Sequence, residues 1–138
     1  MATYFKFNAF VNDLATKVHN LGSDTLKVML TNTAPTAANA IKTDITEITA
    51  GNGYSAGGSA ATLSSSGQTS GLYTLKLTNV VYTATGAIGP FRYAVLYNST
   101  AGSGNLIGSW DYGSAVSLLS GDTFTVSFDA TNGVLTLQ

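Results

Sequence analysis

The stretch GPFRYAVLYN, residues 89–98, decides the fold. Aromatic and β-branched side chains dominate it, and these fit the pleated surface of a sheet. Phe91, Tyr93, Val95 and Tyr97 alternate with Arg92, Ala94 and Leu96, which is the period of a strand. Apolar residues occur in both sets, so the strand reads as two-sided, and a sandwich core accounts for most of its aromatics. Arg92 stands out as the single arginine of the chain. A planar guanidinium there is expected to pair with Asp111 or another acid, or to reach across a subunit boundary.

Strand signals continue on both sides. Downstream, NLIGSWDYG, AVSLLS, DTFTVSFDA and GVLTLQ are separated by STAGSG, YGS, SGD and ATNG. The Asn132-Gly133 pair predicts a type I′ hairpin. Upstream, LYTLKLTNVVYTA predicts strand structure with a bulge or turn at Asn79, and AATLSSSGQ a polar strand. DTLKVMLT alternates Leu26, Val28 and Leu30 with Lys27, Met29 and Thr31, giving a strand with one buried face. NTAPTAANAIK reads as a loop and DITEIT as a short strand or irregular segment. Before all of these, Phe7, Phe10, Val11, Leu14, Val18 and Leu21 mark an apolar helix face, with Asn8, Asp13, Thr16 and Lys17 opposite. This predicts a helix over about residues 7–20 with Gly22 as its stop. Short strands at about 8–12-residue spacing predict a sandwich or barrel. The expectation is one mainly β domain over residues 1–138, with about eight strands and an N-terminal α-helix.

Composition narrows the function. Six Lys plus Arg face seven Asp plus Glu, and charged residues make up 9% of the 138, against about 25% in an average soluble domain. The cations are scattered, so no basic cluster is offered to phosphates and nucleic acid is not an expected partner. A surface of Ser, Thr, Asn and Gly desolvates more readily than one of Lys and Glu, which suits a protein packed against partners. There is no cysteine, hence no disulfide framework and no thiolate metal site. MATYFKFNAF lacks the pattern of a secretory signal, and no apolar run approaches the ~18 residues of a membrane span, so no membrane association is expected.

The segment GNGYSAGGSAATLSSSGQTSG, residues 51–71, invites a phosphate-cradle reading and fails it. It lacks a Gly-Lys-Ser/Thr ending and a following helix with an apolar face. It reads instead as a flexible loop, Gly51–Gly58, leading into a polar strand. Tyr54 within it either tucks back into its own domain or anchors a partner contact. His19 is the only histidine and sits near the expected helix end, where it reads as structural. A triad needs a nucleophile and an orienting acid around it, and no Gly-x-Ser-x-Gly elbow is present. Asp44 and Glu47 lack calcium-loop spacing, while Asp24 and Asp122 suit turns. Asn98-Ser99-Thr100 matches a glycosylation sequon but reads as a turn. No enzymatic activity, cofactor or metal is therefore expected, and Tyr54 and Arg92 are the candidate partner contacts.

VHNLGSDTLKVMLTNTAPT, GPFRYAVLYNSTAG and LIGSWDYGS together resemble the small jelly-roll cement, or decoration, proteins of tailed-phage heads. The resemblance implies a jelly-roll sandwich on the outer surface of the virion head, made in the host bacterial cytoplasm. It implies binding to a major capsid protein of the HK97-type fold and self-association as a homo-dimer or homo-trimer that bridges capsid subunits. The alternative from the residues is a carbohydrate- or receptor-binding jelly-roll module of a tail fibre, using Trp110 and Tyr112.

Overall fold

The computed structural model describes residues 2–138. In chain order the elements are β1 (Thr3–Lys6), α1 (Ala9–Ala15), β2 (Leu26–Thr31), β3 (Ser59–Ala61), β4 (Leu63–Thr69), β5 (Leu72–Leu77), β6 (Val80–Thr83), β7 (Ile88–Asn98), β8 (Leu106–Leu118), β9 (Thr123–Val126) and β10 (Leu135–Leu137), with a 3-10 turn at Lys42–Asp44. Among the described residues the chain is thus mainly β with one α-helix. It forms three antiparallel sheets: β1-β8-β7-β2-β3, β10-β5-β4 and β6-β9.

The central strands β7 and β2 carry apolar side chains on both faces, so both faces need cover. On one face Leu26, Val28, Leu30, Ala94, Leu96 and Ile107 join Leu75, Leu77, Val80 and Tyr82 from the two smaller sheets in one cluster. On the other, Met29, Val95, Tyr97 and Leu106 pack with Phe7 and Ile45. Each fully covered Leu or Val contributes about 1.5–3 kcal/mol. Two clusters, one on each side of the large sheet, correct the expectation that β2 has a single buried face: Met29 and Thr31 are 0% exposed.

Irregular pairing changes the faces of β7 as well. The register with β8 shifts on both sides of Phe91, from Phe91↔Val116 to Tyr93↔Asp111. Phe91 therefore joins Ala94 and Leu96 in the larger cluster, while Val95 and Tyr97 lie in the other. Simple alternation placed Phe91 with Val95; the bulge overrides it. The same irregularity lets β8 run unbroken from Leu106 to Leu118, where the sequence suggested two strands around YGS.

The helix is shorter than expected. Phe7 is drawn out of it by its N–H bond to the Ile107 carbonyl (3.2 Å) and by complete burial. At the other end Lys17 has φ of 69°, its N–H donates to the Leu14 carbonyl (3.4 Å), and the Val18 N–H donates to the Asp13 carbonyl (2.8 Å). That pair of bonds is a Schellman stop, with Lys17 rather than Gly22 in the left-handed position. Val11 is 54% exposed and Asp13, assigned to the solvent side, is buried.

Two turns also differ from expectation. Asn132-Gly133 does not make a hairpin, because β9 pairs with β6 and β10 with β5. The Asp129 carboxylate accepts the N–H groups of Thr131 and Asn132, and the Val134 N–H bonds to Leu75 O, steering the chain to another sheet. The type I′ geometry occurs instead at Ser70 (φ 51°) and Gly71 (φ 84°), which join β4 to β5.

Leu75 is fully buried and Leu14 only partly. Leu75→Ala is expected to lower unfolding free energy by about 2–5 kcal/mol and Leu14→Ala by about 1–2 kcal/mol. Chemical denaturation measures both, and an equal loss at the two positions contradicts this division of the core.

Candidate functional site

Within residues 51–58, Tyr54, Gly57 and Gly58 are buried and pack back onto the domain, while the other five are exposed. Gly51 and Tyr54 exchange backbone hydrogen bonds of 2.8 and 3.0 Å. Tyr54 is 2% exposed, so its side chain offers no partner contact. Its hydroxyl accepts from the Leu30 N–H (3.0 Å) and donates to Glu47 Oε1 (2.7 Å). Burial, followed by the Glu47 carboxylate, holds this hydroxyl far above the ordinary phenol range, so it remains a donor. Glu47 also accepts the Gly57 N–H, and the Tyr97 hydroxyl donates to the Gly57 carbonyl (2.7 Å). Gly58, at φ 71°, lies against the Val28 carbonyl, where any Cβ would collide.

A second polar cluster surrounds His19, which is 5% exposed. The Asn98 carbonyl oxygen accepts the N–H groups of Thr100 (2.9 Å) and Ala101 (3.1 Å), which fixes the amide orientation. Its NH₂ then donates to Asp24 Oδ2 (2.6 Å) and contacts His19 Nδ1 (3.1 Å). Nδ1 must be the acceptor, so Nε2 carries the proton; it has no partner among the described residues. Asp13 accepts from Asn105 Nδ2 (2.8 Å). Burial lowers the His19 pKa, with Asp13 and Asp24 opposing. This network holds the helix end to the turn after β7. Asn98 is 0% exposed, so the sequon is a turn-forming amide out of reach of modification.

The third grouping lies beside an aromatic pocket. Arg92 Nε donates to Asp111 Oδ1 (2.7 Å) and Nη2 to Oδ2 (2.8 Å), a two-pronged ion pair within the chain. Hydrogen bonding to Asp111 holds the guanidinium pKa up, and the guanidinium holds the Asp111 carboxyl below the usual range. Arg92, but not Asp111, lines a pocket of about 470 Å³ between β7, β8 and β9, together with Phe91, Tyr93, Trp110, Tyr112 and Phe124 among others. Phe124 meets Phe91 edge-on at 4.8 Å and Tyr112 at 5.6 Å, fixing the wall. Tyr112 is 55% exposed. Sequence pairing of Arg92 with Asp111 is found; the pocket between β7, β8 and β9 was missed, because β9 reaches it only through the packing of one sheet on another. Among the described residues no group of three His, Asp or Glu is placed to hold a metal ion, and no helix is long and apolar enough to cross a membrane.

No family model matches the chain, and no curated protein or solved structure matches it either.

Tyr54→Phe leaves the buried Leu30 N–H without its acceptor and is expected to cost about 1–3 kcal/mol by chemical denaturation; unchanged stability contradicts the bridging role. For His19 the folded pKa lies below the unfolded value of 6.5. The unfolded chain therefore takes up the proton first, and stability present above that value is lost as pH falls through it. Between about pH 7.5 and about pH 5.5 the wild type is expected to lose more stability than His19→Gln. Parallel pH profiles for the two proteins contradict the assignment.

Proposed function

We propose that the chain is a non-enzymatic structural cement protein. In this reading it binds the outside of a tailed-phage head, bridges major capsid subunits of the HK97-type fold as a homo-dimer or homo-trimer, and stabilises the shell. Its large sheet packed on two smaller ones is read as a jelly-roll variant whose second layer is split. The resemblance in residues 18–36, 89–102 and 106–114 supports the reading.

The observation that carries it is the edge strand β4. Its residues Leu63–Thr69 hold no charge, and β4 has β5 as its only neighbour in the sheet. Past an irregularity between Leu63 and Ser65, the pairing runs regularly to Thr69. Proteins commonly guard such edges with Lys, Pro or short length, because unpaired N–H and C=O groups invite another strand. The other edges are shorter: β1 has four residues and ends on Lys6, β3 and β10 have three each, and β6 and β9 have four each. A strand or loop of a capsid subunit adding to β4 gains main-chain hydrogen bonds without desolvating a charge.

Bridging then follows from avidity. One contact of standard size, about 800 Å² per partner, is modest. Two contacts at shell spacing raise apparent affinity by about a hundredfold or more when the geometry fits.

Purified protein is expected to bind empty shells at least about a hundredfold more tightly than free capsid subunits. Gly67, in mid-β4, has no heavy atom near an added Cβ. Gly67→Lys is therefore expected to weaken shell binding at least about tenfold while leaving the unfolding midpoint unchanged. Equal affinity for shells and subunits contradicts the bridging mechanism, and full binding by Gly67→Lys contradicts docking at β4.

A further inference from the structure

We propose that Asn52 is a site of self-modification, its side-chain amide being converted, without enzyme or cofactor, to an aspartyl or isoaspartyl carboxylate. The reaction involves only the chain and water, so this inference stands apart from the cement reading.

The sequence holds two Asn-Gly pairs, Asn52-Gly53 and Asn132-Gly133. Glycine lets its own backbone nitrogen approach the preceding side-chain amide, because no Cβ stands in the way. The Gly53 nitrogen gives its proton to solvent hydroxide and attacks Asn52 Cγ. The new N–Cγ bond closes a five-membered succinimide. The Cγ–Nδ2 bond breaks, and Nδ2 takes a proton from water and leaves as ammonia. Water then opens the ring at either carbonyl. One product is aspartate; the other is isoaspartate, whose main chain runs through the former side chain.

The two pairs are alike in sequence and unlike in structure. At Asn132 every group that the reaction must move is held by Asp129. Its Oδ2 accepts the leaving Nδ2 (2.8 Å), its Oδ1 the Asn132 N–H (2.8 Å), and its main-chain carbonyl the attacking Gly133 N–H (3.0 Å). Hydrogen bonds from Asn132 hold the Asp129 carboxyl below its usual range, and its charge opposes the negative charge that builds on the amide oxygen as the ring closes. At Asn52 the side chain makes one hydrogen bond, from Nδ2 to the Ala87 carbonyl (2.8 Å). Asn52 and Gly53 are exposed, and the Gly53 N–H has no partner among the described residues. The nucleophile is therefore free and open to base.

Its position gives the reaction a structural consequence. Asn52 (φ 55°) and Gly53 (φ 99°) make the reversal between the paired Gly51 and Tyr54. Gly53 lies against the Thr83 carbonyl, so the reversal has no room to shift that way. Isoaspartate lengthens this two-residue reversal by one main-chain atom. Aspartate sets a carboxylate against the Ala87 carbonyl, two acceptors face to face. Either product loosens the hold on Tyr54, whose hydroxyl satisfies the Leu30 N–H of β2.

The experiment holds the full chain in mildly alkaline buffer and maps its peptides by mass over time, with isoaspartate scored by an isoaspartyl methyltransferase. In the folded protein, conversion at Asn52 is expected to run at least about tenfold faster than at Asn132. In denaturant the two pairs are expected to convert at comparable rates. Equal rates in the folded protein, faster conversion at Asn132, or none at Asn52 overturns the proposal, as does a denatured chain that keeps the tenfold difference. Asp129→Ala is expected to speed Asn132 at least about fivefold and to leave Asn52 unchanged; an unchanged Asn132 rate contradicts the protection. If that variant does not fold, the ratio in the unaltered chain decides alone. Converted protein, separated by charge, is expected to unfold at a lower denaturant midpoint, and a midpoint equal to that of the parent overturns the structural consequence.

Discussion

The structure depends on how the outer edge of β2 is satisfied. β2 is buried on both faces, so each of its main-chain polar groups needs a partner inside the protein. β3 supplies partners only from Leu26 to Val28. Beyond that point the Tyr54 hydroxyl takes the Leu30 N–H, and the Leu30 carbonyl accepts from Ile48. The Tyr82 hydroxyl, from the facing sheet, reaches the Val28 carbonyl at 2.5 Å. Side chains and loop backbone thus extend a strand that is three residues long. The glycine-rich segment has its composition for this reason: its backbone must lie directly on β2, and its one aromatic must reach back under it.

Much of the fold was legible because its signals are local. The strand character of residues 89–98, the break at Asn79 and the apolar positions of β2 follow from side-chain type and period alone. What escaped depends on distant partners. Phe91 changes face because β8 bulges opposite it. Phe7 leaves the helix because Ile107, a hundred positions on in the chain, offers a carbonyl. Asp13 is buried because Asn105 and the His19 turn enclose it. Tyr54 could be read either way from its neighbours, since glycines on both sides say nothing about Glu47 or Leu30. At the site, the pairing of Arg92 with Asp111 was readable from scarcity, one arginine in an aromatic strand. The contribution of Phe124 was not, because β9 belongs to a different sheet.

Two surface features differ in kind. The β4 edge is polar, uncharged and built of main-chain groups, so it suits an extended partner segment. The pocket beside Arg92 is aromatic. They belong to different sheets and share no residue. Low charge serves the β4 edge, because no charged side chain on it has to shed strongly held water before contact.

The strand order also governs when the molecule can form. Thr3 pairs with Asp111, and β7 is flanked by β8 on one side and by β2 and β3 on the other. Residues more than a hundred positions apart must meet before β1 has any hydrogen-bonding neighbour. During synthesis β7 emerges before β8, so one of its edges is bare for a time with Val95 and Leu96 beside it. Folding is therefore a late event for this chain, slow by the standard of proteins with local contacts. The interval before β8 emerges is when nascent chains are most prone to associate with one another.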